Sequence, residues 1–145
     1  MPSAPSTEPS DPPLGELVMQ VARGLRRWFA TTLEPWGLTP HESRALRVIG
    51  QHEPTRPGVV AQHLRIAPRS VTDVVDALEE RGLVARAPDP SDRRATSVSL
   101  TARGRTVLDE LDAARRADHE SYFADLSERD REALARILGR LVDDR

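Results

Sequence analysis

"PRSVTDVVDALEERGLVARAPDPSDRRATSVSL", residues 68–100, predicts a helix that is followed at once by a charged hairpin. Pro68 suits the first position of a helix, and Gly82 marks the end of one. Two short runs typical of strands then flank a Pro-Asp-Pro turn. Folding a hairpin requires no charge at its tip, so Arg93 and Arg94 at that tip indicate a role beyond folding.

Apolar residues recur every three or four positions on both sides of this stretch, which predicts further helices. A Thr-x-x-Glu capping box formed by Thr39 and Glu42 starts one of them, and Gly50 is expected to end it. Two short helices joined by about three residues predict a helix-turn-helix before the hairpin. The predicted helices span residues 14–33, 39–50, 57–64, 68–82, 101–126 and 127–145.

The composition fits one domain of 145 residues. Residues 1–13 contain five prolines and almost no apolar side chains, so this tail is predicted to be disordered. The chain has no cysteine, which excludes disulfides and thiolate metal sites. No apolar run is long enough to cross a membrane and no signal peptide is recognisable, so we expect a cytoplasmic protein.

Charge is unevenly distributed along the chain, whose net charge is −2. Residues 41–105 carry 11 arginines and 8 acidic residues, whereas residues 106–145 carry 7 arginines and 11 acidic residues. A basic middle segment suits contact with nucleic acid. Neither a phosphate-binding loop nor a nucleophile–base pattern is present, so we expect neither an enzyme nor a cofactor.

Three segments together resemble the MarR family of bacterial transcription regulators: "LTPHESRALRVI" (38–49), "IAPRSVTDVVDALEERGLVARAPDPSDRRATSVSLTARGR" (66–105) and "LSERDREALARILGRLV" (126–142). The most specific part is "DPSDRR…VSLTARGR". The resemblance implies a mainly helical fold with a small β-hairpin wing. A winged helix-turn-helix over 39–100 would be flanked by dimerisation helices over 14–34 and 102–145. It also implies a homodimeric regulator, most often a repressor, that binds a palindromic operator on double-stranded DNA and is released by a small phenolic or aromatic carboxylate effector.

The exposed face of the helix over 68–82 is expected to enter the major groove, which is about 12 Å wide and admits one helix. Arg69 would contact a guanine edge or a phosphate, and Ser70 and Thr72 would hydrogen-bond bases or phosphates. The alternative for Arg69 is a solvated surface residue, as most helical arginines are. Asp73 departs from the family, in which a basic or neutral residue is common at that place. It is either a cytosine reader, an orienter of Arg69 or a repulsive bystander.

The wing tip is expected to reach the minor groove, where an A·T-rich sequence attracts arginine. The family's Asp-x-Arg pattern falls on Asp92 and Arg94, so Arg94 would insert into the groove while Asp92 holds it. Arg93 would meet phosphate. A turn that is merely made soluble by charge is the alternative. Arg65 is a second departure, because glycine often occupies this turn between the short helices; a positive φ there costs on the order of 1 kcal/mol, so the turn is expected to differ.

An effector pocket is expected near Trp28, Trp36 and His41, with packing in the core as the alternative for both tryptophans. The spacing of the histidines does not match a metal site, and none is predicted. The apolar stripes on the first and last helices exceed what one small domain needs, which predicts a dimer interface. Its candidate residues are Leu17, Val21, Leu25, Leu134, Leu138 and Leu141.

A second function remains possible on the sequence alone, namely a winged-helix module that docks a protein instead of DNA. The acidic residues Asp73 and Asp76 on the helix over 68–82 favour it. Such a module would present apolar or aromatic side chains on the same face, and the pattern places none there.

Overall fold

Six α-helices and one hairpin form the part of the chain, residues 11–143, that the computed structural model describes. The helices are α1 (Leu14–Thr32), α2 (Pro40–His52), α3 (Pro57–Leu64), α4 (Pro68–Glu80), α5 (Ala102–Tyr122) and α6 (Glu128–Asp143), and a short 3₁₀ turn (Glu34–Trp36) joins α1 to α2. The hairpin consists of β1 (Val84–Pro88) and β2 (Thr96–Leu100). The prediction of a mainly helical fold with a small hairpin is confirmed. The tail predicted to be disordered lies mostly outside the described residues, and residues 11–13 are exposed without regular structure.

Local capping explains where the helices begin. The Thr39 hydroxyl accepts a hydrogen bond from the Glu42 amide at 3.1 Å, and the Glu42 carboxylate accepts one from the Thr39 amide at 2.9 Å, which completes the predicted capping box. Thr101 caps α5 by accepting from the Gly104 amide at 2.9 Å. These contacts satisfy amides that have no partner within the first helical turn.

Two expected helix ends were wrong. Helix α2 runs through Gly50 to His52, and a Cβ at Gly50 would lie only 2.7 Å from Leu108 Cδ2. Gly50 therefore permits the close packing of α5 on α2 and does not end the helix. Helix α5 ends at Tyr122, four residues earlier than expected, and a turn leads from it to α6.

The turn between α3 and α4 keeps the left-handed conformation, contrary to expectation. Arg65 has φ 55° and ψ 46°. The backbone amides of Arg65 and Ile66 donate to the carbonyl oxygens of Gln62 and Ala61, at 3.2 and 3.1 Å. These closing hydrogen bonds offset the steric cost of a side chain at positive φ, which is about 1 kcal/mol.

The hairpin is antiparallel, with Val84 opposite Leu100 and Pro88 opposite Thr96. Thr55 pairs with the other edge of β2, because it exchanges two backbone hydrogen bonds with Val98 at 3.0 and 2.7 Å. The segment before α3 is thus bound to the hairpin, so that the helix-turn-helix and the hairpin form one unit.

The hydrophobic core lies in this central unit. Its fully buried side chains come from α2, α3, α4, the hairpin, the middle of α5 and the residue that follows α1, and include Leu33, Leu46, Ile49, Val60, Val71, Val75, Leu78, Val84, Val98 and Leu111. Helices α1 and α6 contain no buried residue and expose Leu17, Val21, Leu138 and Leu141. In residues 11–143 no helix has both the length and the apolar composition needed to cross a membrane.

Candidate nucleic-acid interface

Helix α4 separates its residues into a buried and an exposed face. Val71, Val75 and Leu78 pack into the core, which fixes the rotation of the helix. The four predicted DNA-contacting residues Arg69, Ser70, Thr72 and Asp73 are all exposed on its first two turns. The Thr72 hydroxyl donates to the Pro68 carbonyl oxygen at 3.3 Å, which leaves its oxygen able to accept from a ligand.

The acidic residues on α4 differ in their partners. Arg86 on β1 forms ion pairs with Asp76, at 2.5 Å between Nη2 and Oδ1, and with Glu79. Asp73 forms no ion pair with Arg69, or with any other residue that the structure describes. The orienting role considered for Asp73 is therefore not seen in the free protein.

Sequence reasoning missed Arg86, although a signal was present. Arg86 lies two residues after the buried Val84 on the same strand and therefore points to the same side of the hairpin, toward α4. A charged residue on an inward-facing strand position needs an opposite charge nearby. The contact joins the recognition helix to the wing.

Hydrogen bonds within the wing tip shape the loop from Asp89 to Ala95. The Asp89 amide donates to the Ala95 carbonyl oxygen at 2.9 Å, and the Ala95 amide donates to that of Asp92 at the same distance. The Asp92 carboxylate accepts from the backbone amide of Arg94 at 3.0 Å. Asp92 thus holds Arg94 through its backbone amide. The side chains of Arg93 and Arg94 are exposed at the end of the hairpin.

A second contact, also missed by sequence reasoning, holds the wing against α3. The Asp89 side chain, only 11% exposed, accepts a hydrogen bond from Arg56 Nε at 2.8 Å and two from Ser91, at 2.8 Å from the amide and 2.5 Å from the hydroxyl. The hydrogen bond from Arg56, together with those from Ser91, holds the pKa of the Asp89 carboxyl well below its ordinary value. Arg56 immediately precedes α3, so this ion pair fixes the wing relative to the helix-turn-helix.

The three predicted effector residues do not share one pocket. His41 lines a cavity of about 330 Å³ between α1, α2 and α5. Trp28 lines a separate cleft of about 560 Å³, where it packs edge-on against Tyr122 at 5.7 Å between ring centroids. Trp36 donates a hydrogen bond from Nε1 to the Glu110 carboxylate at 2.9 Å, so it ties the 3₁₀ turn to α5.

The cavity beside His41 is rich in arginine. Its lining includes Arg26, Arg44, Arg47 and Arg115, together with Phe29. The Arg115 guanidinium lies 5.6 Å from the centroid of the Phe29 ring, a cation–π distance. Arg47 forms an ion pair with Asp112 at 2.5 Å and is largely shielded from solvent. A planar anion would find both an aromatic surface and compensating positive charge here.

The candidate dimer residues occupy the outer helices. Leu17, Val21, Leu134 and Leu138 line an apolar groove of about 390 Å³ between α1 and α6. Leu141 is 59% exposed beside it, whereas Leu25 is half-buried. His52 and His63 stack at 4.5 Å between ring centroids, and no group of three metal-ligating side chains occurs in the described part of the chain.

Comparisons with known proteins agree on one family. The sequence model of the MarR family matches residues 36–95. The HTH-type transcriptional repressor Rv2887 of Mycobacterium tuberculosis is 33% identical over 134 residues, which cover 92% of this chain and 96% of that protein. The solved structure of Rv2887 in complex with DNA matches with a TM-score of 0.77 and 31% identity, over 90% of this chain and 98% of that one. Its complex with salicylic acid matches with a TM-score of 0.73 and 32% identity, over 91% of this chain and 98% of that one.

Proposed function

Since the chain belongs to the MarR family of transcriptional regulators, we propose that it is a homodimeric repressor of a palindromic operator that is released by a small aromatic carboxylate. The observation that carries the proposal is the joint presentation of an exposed α4 face and an arginine-tipped wing, which the Arg56–Asp89 ion pair fixes relative to each other. The segment 39–100 reads DNA in this proposal, and the segments 14–34 and 102–145 form the dimer.

Helix α4 supplies the base contacts. Arg69, Ser70 and Thr72 lie on its exposed N-terminal turns, the part of a recognition helix that meets base edges. The wing supplies contacts to the adjacent minor groove, with Arg94 inserted and Arg93 on phosphate. Rv2887, of which this chain covers 98%, has been solved in complex with DNA, which supports DNA binding by the same fold.

The dimer follows from the outer helices. Two recognition helices reach successive major grooves on one side of the duplex only if they are about 34 Å apart, so one copy of α4 is insufficient for a palindrome. The apolar side chains that α1 and α6 leave exposed would be covered by a second copy.

The effector binds in the arginine-lined cavity beside His41. A carboxylate there would pair with Arg26, Arg44 or Arg115, and its ring would lie against Phe29. The complex of Rv2887 with salicylic acid supports this class of ligand. Because the cavity adjoins α2, α5 and α1, a ligand in it alters the contact between the dimer helices and the DNA-reading unit.

The alternative of a protein-docking module gains no support from the surface. Among residues 11–143 the exposed large apolar side chains lie on α1 and α6, and none lies on α4 or the wing.

The proposal is tested by measuring binding to the intergenic DNA upstream of the protein's own gene at several salt concentrations. The proteins compared are wild type, Arg94→Ala and a control, Arg116→Ala, on the exposed side of α5. We expect selective wild-type binding that weakens on addition of salicylate. Arg94→Ala should bind on the order of tenfold more weakly, and the slope of log affinity against log salt should flatten by about 0.9 if the side chain also meets a phosphate. Arg116→Ala should bind as wild type does. Wild-type affinity no higher than for random DNA would refute the proposal.

A further inference from the structure

The recognition helix carries more negative charge than a DNA-binding surface tolerates without compensation. Asp73, Asp76, Glu79 and Glu80 are all exposed on α4, and Glu80 lies at its C-terminal end, away from the first two turns. Exposed acidic groups that face phosphates are repelled unless each is neutralised or finds a hydrogen-bond donor on a base.

Arg86 binds two of these four carboxylates, and its single positive charge balances one of them. Its guanidinium contacts Asp76 and Glu79 together, one helical turn apart on α4, and draws both toward β1. The charge of Asp76 is thereby compensated within the protein, without any contribution from DNA.

Asp73 is in a different situation. Among the residues that the structure describes, its carboxylate takes part in no hydrogen bond and no ion pair, and Arg69 one turn earlier does not approach it. The side chain lies in the second turn of α4, on the same exposed face as Arg69 and Thr72. Asp73 is therefore free to accept a hydrogen bond from a donor outside the protein.

The chemistry of a carboxylate limits which partner that is. An ionised carboxylate only accepts hydrogen bonds. In the major groove guanine and thymine present acceptors, and adenine places an acceptor nitrogen beside its amine, whereas cytosine presents the N4 amine as a donor.

We propose that Asp73 is a specificity-determining residue that accepts a hydrogen bond from the N4 amine of a cytosine in each operator half-site. The inference rests on the proposed DNA-binding function and adds a requirement for one base. Guanine and thymine leave the carboxylate facing an acceptor, and adenine places its acceptor nitrogen beside the amine, so the residue selects mainly by rejecting wrong sequences.

Selection from a library of randomised operator sites tests the inference, with wild type, Asp73→Asn, Asp73→Ala and the matched control Asp76→Asn, which removes the same charge one turn later. The full-length dimer is used, and far-UV circular dichroism verifies that each variant is folded. Wild type should require cytosine at one position of each half-site, with a penalty of about tenfold or more for other bases. Asp73→Asn should shift that position toward adenine, Asp73→Ala should lose the preference, and Asp76→Asn should keep it.

Two contrary results have different meanings. If both Asp73 variants bind every sequence more tightly and retain the wild-type base preference, Asp73 is only a repulsive charge and the inference is overturned, while the proposed function stands. If wild type enriches no sequence at all, the proposed DNA-binding function fails, and the inference fails with it.

Discussion

Replacing Gly104 with alanine should destabilise the junction between the wing and α5 more than any other glycine-to-alanine change in the described chain. A Cβ built on Gly104 would lie 1.9 Å from the carbonyl oxygen of Leu83, and the two atoms would have to separate by about 1.1 Å to reach a tolerable 3.0 Å. That carbonyl oxygen already accepts a hydrogen bond from the Thr101 amide at 3.0 Å. Thr101 in turn caps α5 and donates from its hydroxyl to the Gly82 carbonyl oxygen at 2.6 Å.

The size of the effect follows from these contacts. Displacement of the backbone should cost about 1–3 kcal/mol, the strained backbone hydrogen bond about 1 kcal/mol, and the weakened cap about 1 kcal/mol. The higher helix propensity of alanine returns up to about 1 kcal/mol. The net loss is about 3 kcal/mol, a large part of the roughly 5–15 kcal/mol that stabilises a typical domain, and it should lower Tm by roughly 10 °C.

Urea unfolding, followed by far-UV circular dichroism, measures this loss. All samples are kept at one protein concentration, because the stability of a proposed dimer depends on it. Gly58→Ala is the matched control, because Gly58 also lies in the first turn of a helix but has no heavy atom within 4 Å of the position that a Cβ would occupy. It should change stability by less than about 1 kcal/mol. If Gly104→Ala proves as stable as Gly58→Ala, the close packing of Leu83 on α5 does not limit this position and the reasoning is wrong.

Three further predictions concern the wing, the recognition helix and the dimer. The pKa of Asp89 is lowered in the folded state. The stability that the folded protein gains from the Arg56–Asp89 ion pair is therefore fully present above the ordinary pKa of an aspartate, about 4, and is lost as the pH falls through the lowered pKa of Asp89. The advantage of wild type over Asp89→Asn in urea unfolding should therefore be constant from pH 8 to about 5 and shrink below about 4; a decline between pH 8 and 6 would contradict this. Arg86→Ala should weaken operator binding on the order of tenfold at low salt and less at high salt, because it exposes the uncompensated charge of Asp76. Fluorescence anisotropy measures the affinity, and an equal loss at all salt concentrations would argue against a charge effect. Leu141→Glu should shift the protein toward monomers in sedimentation experiments, and an unchanged dimer would exclude α6 around this residue from the interface.

Much of the fold was predictable from local sequence signals. Thr39 and Thr101 cap their helices through hydrogen bonds that span only three residues, so the sequence contains both partners within one turn. The apolar period of α4 also fixed which residues are exposed, and Arg69, Ser70, Thr72 and Asp73 are exposed as expected.

Local signals failed where tertiary packing competed with them. Gly50 is a common helix-ending residue, yet the close approach of Leu108 uses the missing side chain and the helix continues. Arg65 adopts the left-handed conformation that favours glycine, since the hydrogen bonds that close α3 outweigh the local steric cost. At Gly50 the contact that overrides the local signal comes from α5, far along the chain, whereas at Arg65 a steric cost of about 1 kcal/mol is overcome by hydrogen bonds to residues only three to five positions earlier.

The helices, their caps, the hairpin and the family follow from the amino-acid sequence alone, because these depend on short-range periodicity and on motifs that lie within a few residues. Which charges meet depends instead on how the elements pack. Arg56 and Asp89 are 33 residues apart in the chain, and they hold the wing because β2 pairs with Thr55 and brings the two elements together. Likewise Trp28 and His41 fall into separate cavities because α1 presents different faces to α5 and to α2. Side-chain pairing depends on distances in space, and those distances are set only when the elements pack.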